Sequence, residues 1–152
     1  MQLTSISIRN FRCFSEFDLN LGGESVFLVG QNGAGKTTLL DAIQRTLRGG
    51  SVDAHDFRSL EEPLEIIVTI TGISAADLAK AAPATLAGQG GEVALVGRMV
   101  WDDRKLGWIT LWRMTWQGQP RRWQFRSVTF DDAFRRAIGA AAQILSGNGD
   151  PP

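Results

Sequence analysis

The chain of 152 residues has one cysteine, Cys13, and one histidine, His55. A lone cysteine excludes an internal disulfide and a cysteine-based metal cluster. A lone histidine excludes a multi-histidine metal site. There is no net charge either, with 16 basic and 16 acidic residues, so nothing global favours a nucleic-acid or membrane surface. No apolar run is long enough to span a bilayer, and the start lacks the basic-then-apolar pattern of a signal peptide. The expected compartment is a reducing cytoplasm, with no membrane partner. Repeats and long low-complexity tracts are also missing. A hydrophobic content of 43% still suits one globular domain or part of one.

The neutral total hides two blocks of opposite sign. Residues 51–77 carry six acids against one base, and residues 98–126 carry seven bases against two acids. The plain reading is two solvated faces.

One stretch organises the rest: Gly30, Gln31, Asn32, Gly33, Ala34, Gly35, Lys36 and Thr37. It fits the P-loop pattern G-x-x-x-x-G-K-[ST] without a mismatch. Residues 25–29 read as a buried β-strand and residues 37–47 as an amphipathic helix, which is the context the motif needs. The glycines let the backbone turn sharply and approach a phosphate closely. The loop N–H groups and the new helix's N-terminus then form an anion cradle. Lys36 places an ammonium on the β- and γ-phosphates, and the Thr37 hydroxyl is the expected Mg²⁺ ligand. Thr38 is adjacent to the phosphates. The expected ligands are therefore ATP and Mg²⁺.

Around this loop, residues 2–8 read as a first strand. Residues 16–21 form a second, with Phe17, Leu19 and Leu21 on one face, antiparallel to the first. The helix carries Leu40, Ile43 and Leu47 at helical spacing with Leu39 beside them, and Gly49-Gly50 stops it. A β-branched strand follows at residues 62–71. Ser74 opens a short helix with Asp77 in the capping position, and Pro83 ends it. Three strands form a meander over residues 92–128. All five tryptophans lie there, with Trp108, Trp112 and Trp116 on one face of the middle strand. Interleaved aromatics and bases suit either a single-strand nucleic-acid platform or a face buried under a helix. Thr129 caps a last helix over residues 130–145, and residues 148–152 are a tail.

The opening resembles ABC-class ATPases that act on DNA: the SMC and RecF proteins, the double-strand-break-repair relatives, and the OLD (overcoming lysogenization defect) family of ATP-dependent nucleases. The shared elements are Ile8-Arg9-Asn10-Phe11-Arg12, the P-loop itself, and Leu40-Asp41-Ala42-Ile43. The resemblance implies that Arg12 lies near the nucleotide phosphates. Residues 53–71, with an x-D-F turn, an acidic-proline entry and an I-E-I-x-h-T-h strand, are more similar to OLD than to RecF or SMC chains. The resemblance covers the first third well and the remainder weakly.

Several parts of that class are not seen. No glutamine lies between positions 50 and 67, where a Q-loop would put one, leaving His55, Asp56 or Asp53 as substitutes. Asp102-Asp103 ends an apolar strand but reads as a hairpin turn. Residues 145–149 and 86–90 only superficially match a signature loop, and no Toprim-like acidic centre is visible. The expectation is an α/β fold, a P-loop NTPase lobe over residues 1–147 with a mixed or antiparallel sheet, belonging to a larger ATPase. Such a chain would bind ATP·Mg²⁺ without efficient hydrolysis. In the whole protein, nucleotide would bridge two heads of a homodimer that acts on DNA. A transporter-type ABC subunit and a non-catalytic nucleotide-binding module are the other classes. The immediate IRNFRCF start stands against the transporter.

Overall fold

The computed structural model describes residues 2–22, 26–31, 33, 35–73, 93–102, 107–116, 119–127 and 129–136. Six strands form one sheet: β1 (Gln2–Phe11), β2 (Phe14–Asn20), β3 (Glu65–Ile73), β4 (Val93–Asp102), β5 (Gly107–Trp116) and β6 (Gln119–Ser127). Their order is β2-β1-β3-β4-β5-β6. Every neighbouring pair is antiparallel. The sheet is therefore antiparallel rather than mixed. Helix α1 (Lys36–Arg48) and a helical segment at residues 130–136, α2, accompany it.

The alternation in the sequence becomes the two faces of this sheet. Ile6 and Ile8 on β1, Ile66, Val68 and Ile70 on β3, Leu95 and Met99 on β4, and Trp112 on β5 all join one buried cluster. Leu39 and Ala42 from α1 and Ala133 from α2 complete it. The helices thus cover the Trp112 face, and Phe130 meets Trp112 edge-on with centroids 5.5 Å apart. That disfavours the nucleic-acid platform at Trp112. Trp108 is half-buried, and Trp101 remains 48% exposed. On the opposite face, Arg9 grips Asp18 bidentately at 3.1 and 3.0 Å.

Helix α1 starts and stops as glycine chemistry dictates. Its N-cap Gly35 and C-cap Gly49 are both left-handed, at φ 96° and 77°. The Gly49 and Gly50 N–H groups both donate to the Arg45 carbonyl at 2.9 Å, closing the last turn. The buried stripe is Leu39, Ala42 and Thr46, with Ile43 and Leu47 partly covered. Leu40, expected inside, is exposed. The stripe is rotated because Thr46 is drawn inward: its hydroxyl donates to the Ala42 carbonyl, and its own carbonyl accepts from Thr110 on β5 at 3.1 Å.

The expected P-loop strand does not form. Residues 26–31 have no regular structure and lie exposed. A strand so apolar needs both of its faces covered. The six described strands pair in the order β2-β1-β3-β4-β5-β6, and none of them pairs with this segment. Position 102 ends β4 opposite Gly107, so Asp102 belongs to a hairpin and not to the end of a core strand. The short helix expected from Ser74, the loop after it, Asp103 and residues 137–152 lie outside the described residues.

Candidate functional site: the P-loop cavity

The site is built where the β1–β2 turn meets the start of α1. Phe11 pairs with Phe14 across that turn, leaving Arg12 and Cys13 at its tip. Asn10 and Arg12 both have positive φ, 56° and 50°, a conformation that costs a non-glycine residue roughly 1 kcal/mol or more. Local bonds hold them there. The Asn10 side-chain amide donates to the carbonyls of Ser59 and Glu62 at 2.8 and 2.7 Å, and its oxygen accepts from Ser59 N–H at 2.7 Å. Arg12 N–H donates to the Asp56 carbonyl at 2.7 Å. The turn is thereby pinned to the loop between α1 and β3.

A cavity of about 380 Å³ opens beside this turn, lined by Arg12, Cys13, Gly33, Gly35, Lys36, Thr37 and Thr38. Gly33 and Gly35 are left-handed, at φ 88° and 96°. A Cβ on Gly35 would fall 2.9 Å from the Phe14 ring and 3.2 Å from the Cys13 sulfur. Glycine at 35 therefore serves both the loop conformation and the close approach of the β1–β2 turn. No side chain caps the N-terminus of α1, and its first turn holds no acid. Its leading N–H groups and dipole are left for an anion. The Lys36 ammonium donates to the Gly30 carbonyl.

Behind the cavity wall lies an ion network. Arg12 Nη2 meets Asp41 Oδ2 at 2.7 Å, and its Nε meets Asp56 Oδ1 at 2.8 Å. Arg45 Nε meets Asp41 at 3.1 Å and its Nη1 meets Asp56 Oδ2 at 2.7 Å. Asp56 is only 4% exposed. Burial pushes its carboxyl up, but the Asp53 N–H and the two guanidinium groups outweigh that and hold it below its usual range. Burial likewise opposes the charge on Arg45, and the bonds to Asp41 and Asp56 overcome it. Asp56 also closes a capping box with Asp53 around the 3₁₀ turn Ala54–Asp56.

Of the residues expected at the site, the structure brings Gly33, Gly35, Lys36, Thr37, Thr38 and Arg12 to one cavity. Gly30 and Gln31 lie on the approaching segment, and Asn32 and Ala34 lie outside the described residues. Asp41, part of the Leu40-Asp41-Ala42-Ile43 element singled out in the sequence, is half-buried between two arginines. His55 is exposed; neither it nor Asp53 or Asp56 lines the cavity. Cys13 was not expected in the lining, nor Arg45 in the network behind it, and Asp56 was expected only as a substitute for a Q-loop glutamine. The Asp41–Arg45 spacing of four was the readable signal for one contact. Nothing local marked Asp56 as the partner of Arg12 and Arg45. Among the described residues, no group of three or more His, Cys, Asp or Glu could hold a metal, and no helix is long and apolar enough to cross a membrane.

This loop and helix define a P-loop ATPase segment, and the chain belongs to the AAA domain family, whose model matches residues 5–82, just over half of the chain. It is an ABC-class ATPase segment related to RecF. It is 45% identical over 64 residues to the DNA replication and repair protein RecF of Edwardsiella ictaluri, covering 37% of this chain and 18% of that protein. RecF of Haemophilus ducreyi is 44% identical over 55 residues, 36% of this chain and 15% of that protein. RecF of Caulobacter vibrioides is 46% identical over 55 residues, 33% of this chain and 14% of that protein. The chain thus matches less than a fifth of the length of these relatives.

Proposed function

We propose that this chain binds ATP·Mg²⁺ in the P-loop cavity as the N-terminal segment of a DNA-processing ABC-class ATPase. One observation carries the reading: left-handed glycines, an uncapped helix N-terminus, Lys36 and Arg12 all border a single cavity. The residues fit the ligand. Backbone N–H groups and Lys36 hold phosphates, Thr37 offers a hydroxyl to Mg²⁺, and Arg12 adds a second cation. Bound Mg²⁺ would neutralise phosphate charge. The chain's own part is positioning and charge stabilisation. The carboxylate that activates water is assigned to a part of the parent protein beyond these residues, so this segment binds without efficient turnover.

Two forms of the parent protein have support. Residues 53–71 favour an OLD-like ATP-dependent nuclease, and the RecF relatives favour a RecF- or SMC-like repair ATPase. In either, nucleotide bridges two heads of a cytoplasmic homodimer that acts on DNA.

The test is calorimetry of ATP·Mg²⁺ with this chain and with Lys36→Ala, following phosphate release in the same samples. Binding that Lys36→Ala weakens at least about a hundredfold, with negligible turnover in both, is the expected result. Equal binding by both proteins, or none by either, removes the proposal. Turnover that needs Lys36 would place the catalytic carboxylate inside this chain. For the parent protein, ATP-dependent DNA cleavage would select the OLD-like form, and ATP turnover on DNA without cleavage the RecF-like one.

A further inference from the structure

Two arginines share two carboxylates beside the cavity, and only one of the arginines reaches it. Arg12 is part of the lining; Arg45, one helical turn beyond Asp41, is not. Asp41 Oδ2 accepts from both, at 2.7 Å from Arg12 and 3.1 Å from Arg45. Asp56 divides its oxygens, giving Oδ1 to Arg12 and Oδ2 to Arg45. Each carboxylate therefore keeps a cation if the Arg12 side chain leaves. Without Arg45, that departure would strand two acids without a counter-charge, one of them buried, which is strongly unfavourable.

The two arginines are also anchored differently. Arg45 Nη1 donates to the Ser51 carbonyl at 2.6 Å as well as to Asp56, which fixes it to the end of its own helix. Arg12 is held by its backbone, through the N–H to the Asp56 carbonyl, while its guanidinium bonds the two carboxylates and lies 5.0 Å from the Phe11 ring centre. Its side chain can change partners without the turn moving.

We infer that Arg45 is a positioning residue for Arg12: it holds Asp41 and Asp56 so that Arg12 can exchange their carboxylates for the phosphates of a bound nucleotide. This rests on the nucleotide-binding reading above. In the nucleotide-free chain the carboxylates keep Arg12 extended beside the cavity, and Arg45 weakens their hold by sharing them. Removing Arg45 leaves both acids to Arg12 alone and makes the exchange costlier.

The experiment is a double-mutant cycle on ATP·Mg²⁺ affinity with Arg12→Gln, Arg45→Gln and the double variant, with urea unfolding run on each. Arg45→Gln is expected to weaken binding about tenfold when Arg12 is present and less than about twofold in the Arg12→Gln background. Arg45→Lys, which keeps the charge, is expected to bind within about threefold of the unaltered chain. Adding Asp41→Asn to Arg45→Gln is expected to restore part of the affinity, because one stranded charge is gone while the buried Asp56 remains. Unchanged affinity in a folded Arg45→Gln chain would overturn the inference. So would an equal loss in the Arg12→Gln background, which a merely structural role would give.

Guanidinium NMR of the unaltered chain tests the exchange on which the inference depends even if Arg45→Gln does not fold. The Arg12 Nε–H signal should shift strongly on saturation with ATP·Mg²⁺, and that of Arg45, which keeps both carboxylates, should shift less. A still Arg12 signal in a saturated sample would overturn the exchange. Absence of ATP binding by the unaltered chain, or binding indifferent to Lys36→Ala, would instead be a failure of the nucleotide-binding reading itself.

Discussion

Gly35 and Asp56 do the most at the residue scale. Gly35 combines a φ of 96° with a Cβ position 2.9 Å from the Phe14 ring. Gly35→Ala is expected to cost about 1–3 kcal/mol from the backbone alone, read as a lower urea midpoint, and to weaken nucleotide binding by tilting the β1–β2 turn. Asp56 carries the pH dependence. Its carboxyl is held below its ordinary value of 3.8 when folded, so the folded state favours the ionised form. That contribution is complete above about pH 4 and is lost as pH falls through the lower folded value. Asp56→Asn is expected to destabilise the chain by about 2 kcal/mol at pH 7, less than a fully buried pair would give because both arginines are partly hydrated. It should also flatten the fall in stability below pH 4 in acid unfolding curves. The glycine was legible from the motif. The role of Asp56 was not, since its partners Arg12 and Arg45 lie 44 and 11 residues away along the chain.

Among the elements, the register of β4 on β5 sets how the core fills. It places Gly97 opposite Trp112. A Cβ on Gly97 would lie 2.6 Å from that indole, and the indole is fully buried. Gly97→Ala is therefore expected to cost about 1–3 kcal/mol by overpacking. Trp112→Ala should cost about 3–5 kcal/mol through the cavity it leaves. Calorimetric unfolding checks both, and a loss at Trp112 with none at Gly97 would mean the register is slack. Strand alternation was readable over β2, β4 and β5, and weakly over β3, because one covered face forces a period of two. The stripe of α1 was read one position off. Leu40 looks like a core residue by hydrophobicity, and only the burial of Leu39, Ala42 and Thr46 against the sheet shows which way the helix is turned.

For the molecule as a whole, the telling feature is the apolar segment leading into the P-loop. Phe27 and Val29 are 88% and 91% exposed, while the opposite end of the hydrophobic scale of burial is occupied by Ile8 and Ile66, at 0%. Phe27→Ser and Val29→Ser should each change the unfolding free energy of this chain by less than about 0.5 kcal/mol. Ile8→Ala should cost about 2–5 kcal/mol. Comparable losses at Phe27 and Ile8 would show that the segment is packed in solution.

The sequence by itself determined the P-loop motif, the start and stop of the helix after it, and the alternation of the strands. Each of these is local: a glycine's access to positive φ, a cap within one turn, a repeat of two or 3.6 residues. Only the tertiary structure decided that β1 lies between β2 and β3, that the tryptophan face is covered at Trp112, and that the segment before the P-loop finds no strand to pair with. It alone joined Arg12, Asp41, Arg45 and Asp56. Those outcomes depend on which distant surfaces meet, and a carboxylate's partners are set by the folding of the chain around it rather than by its neighbours in sequence.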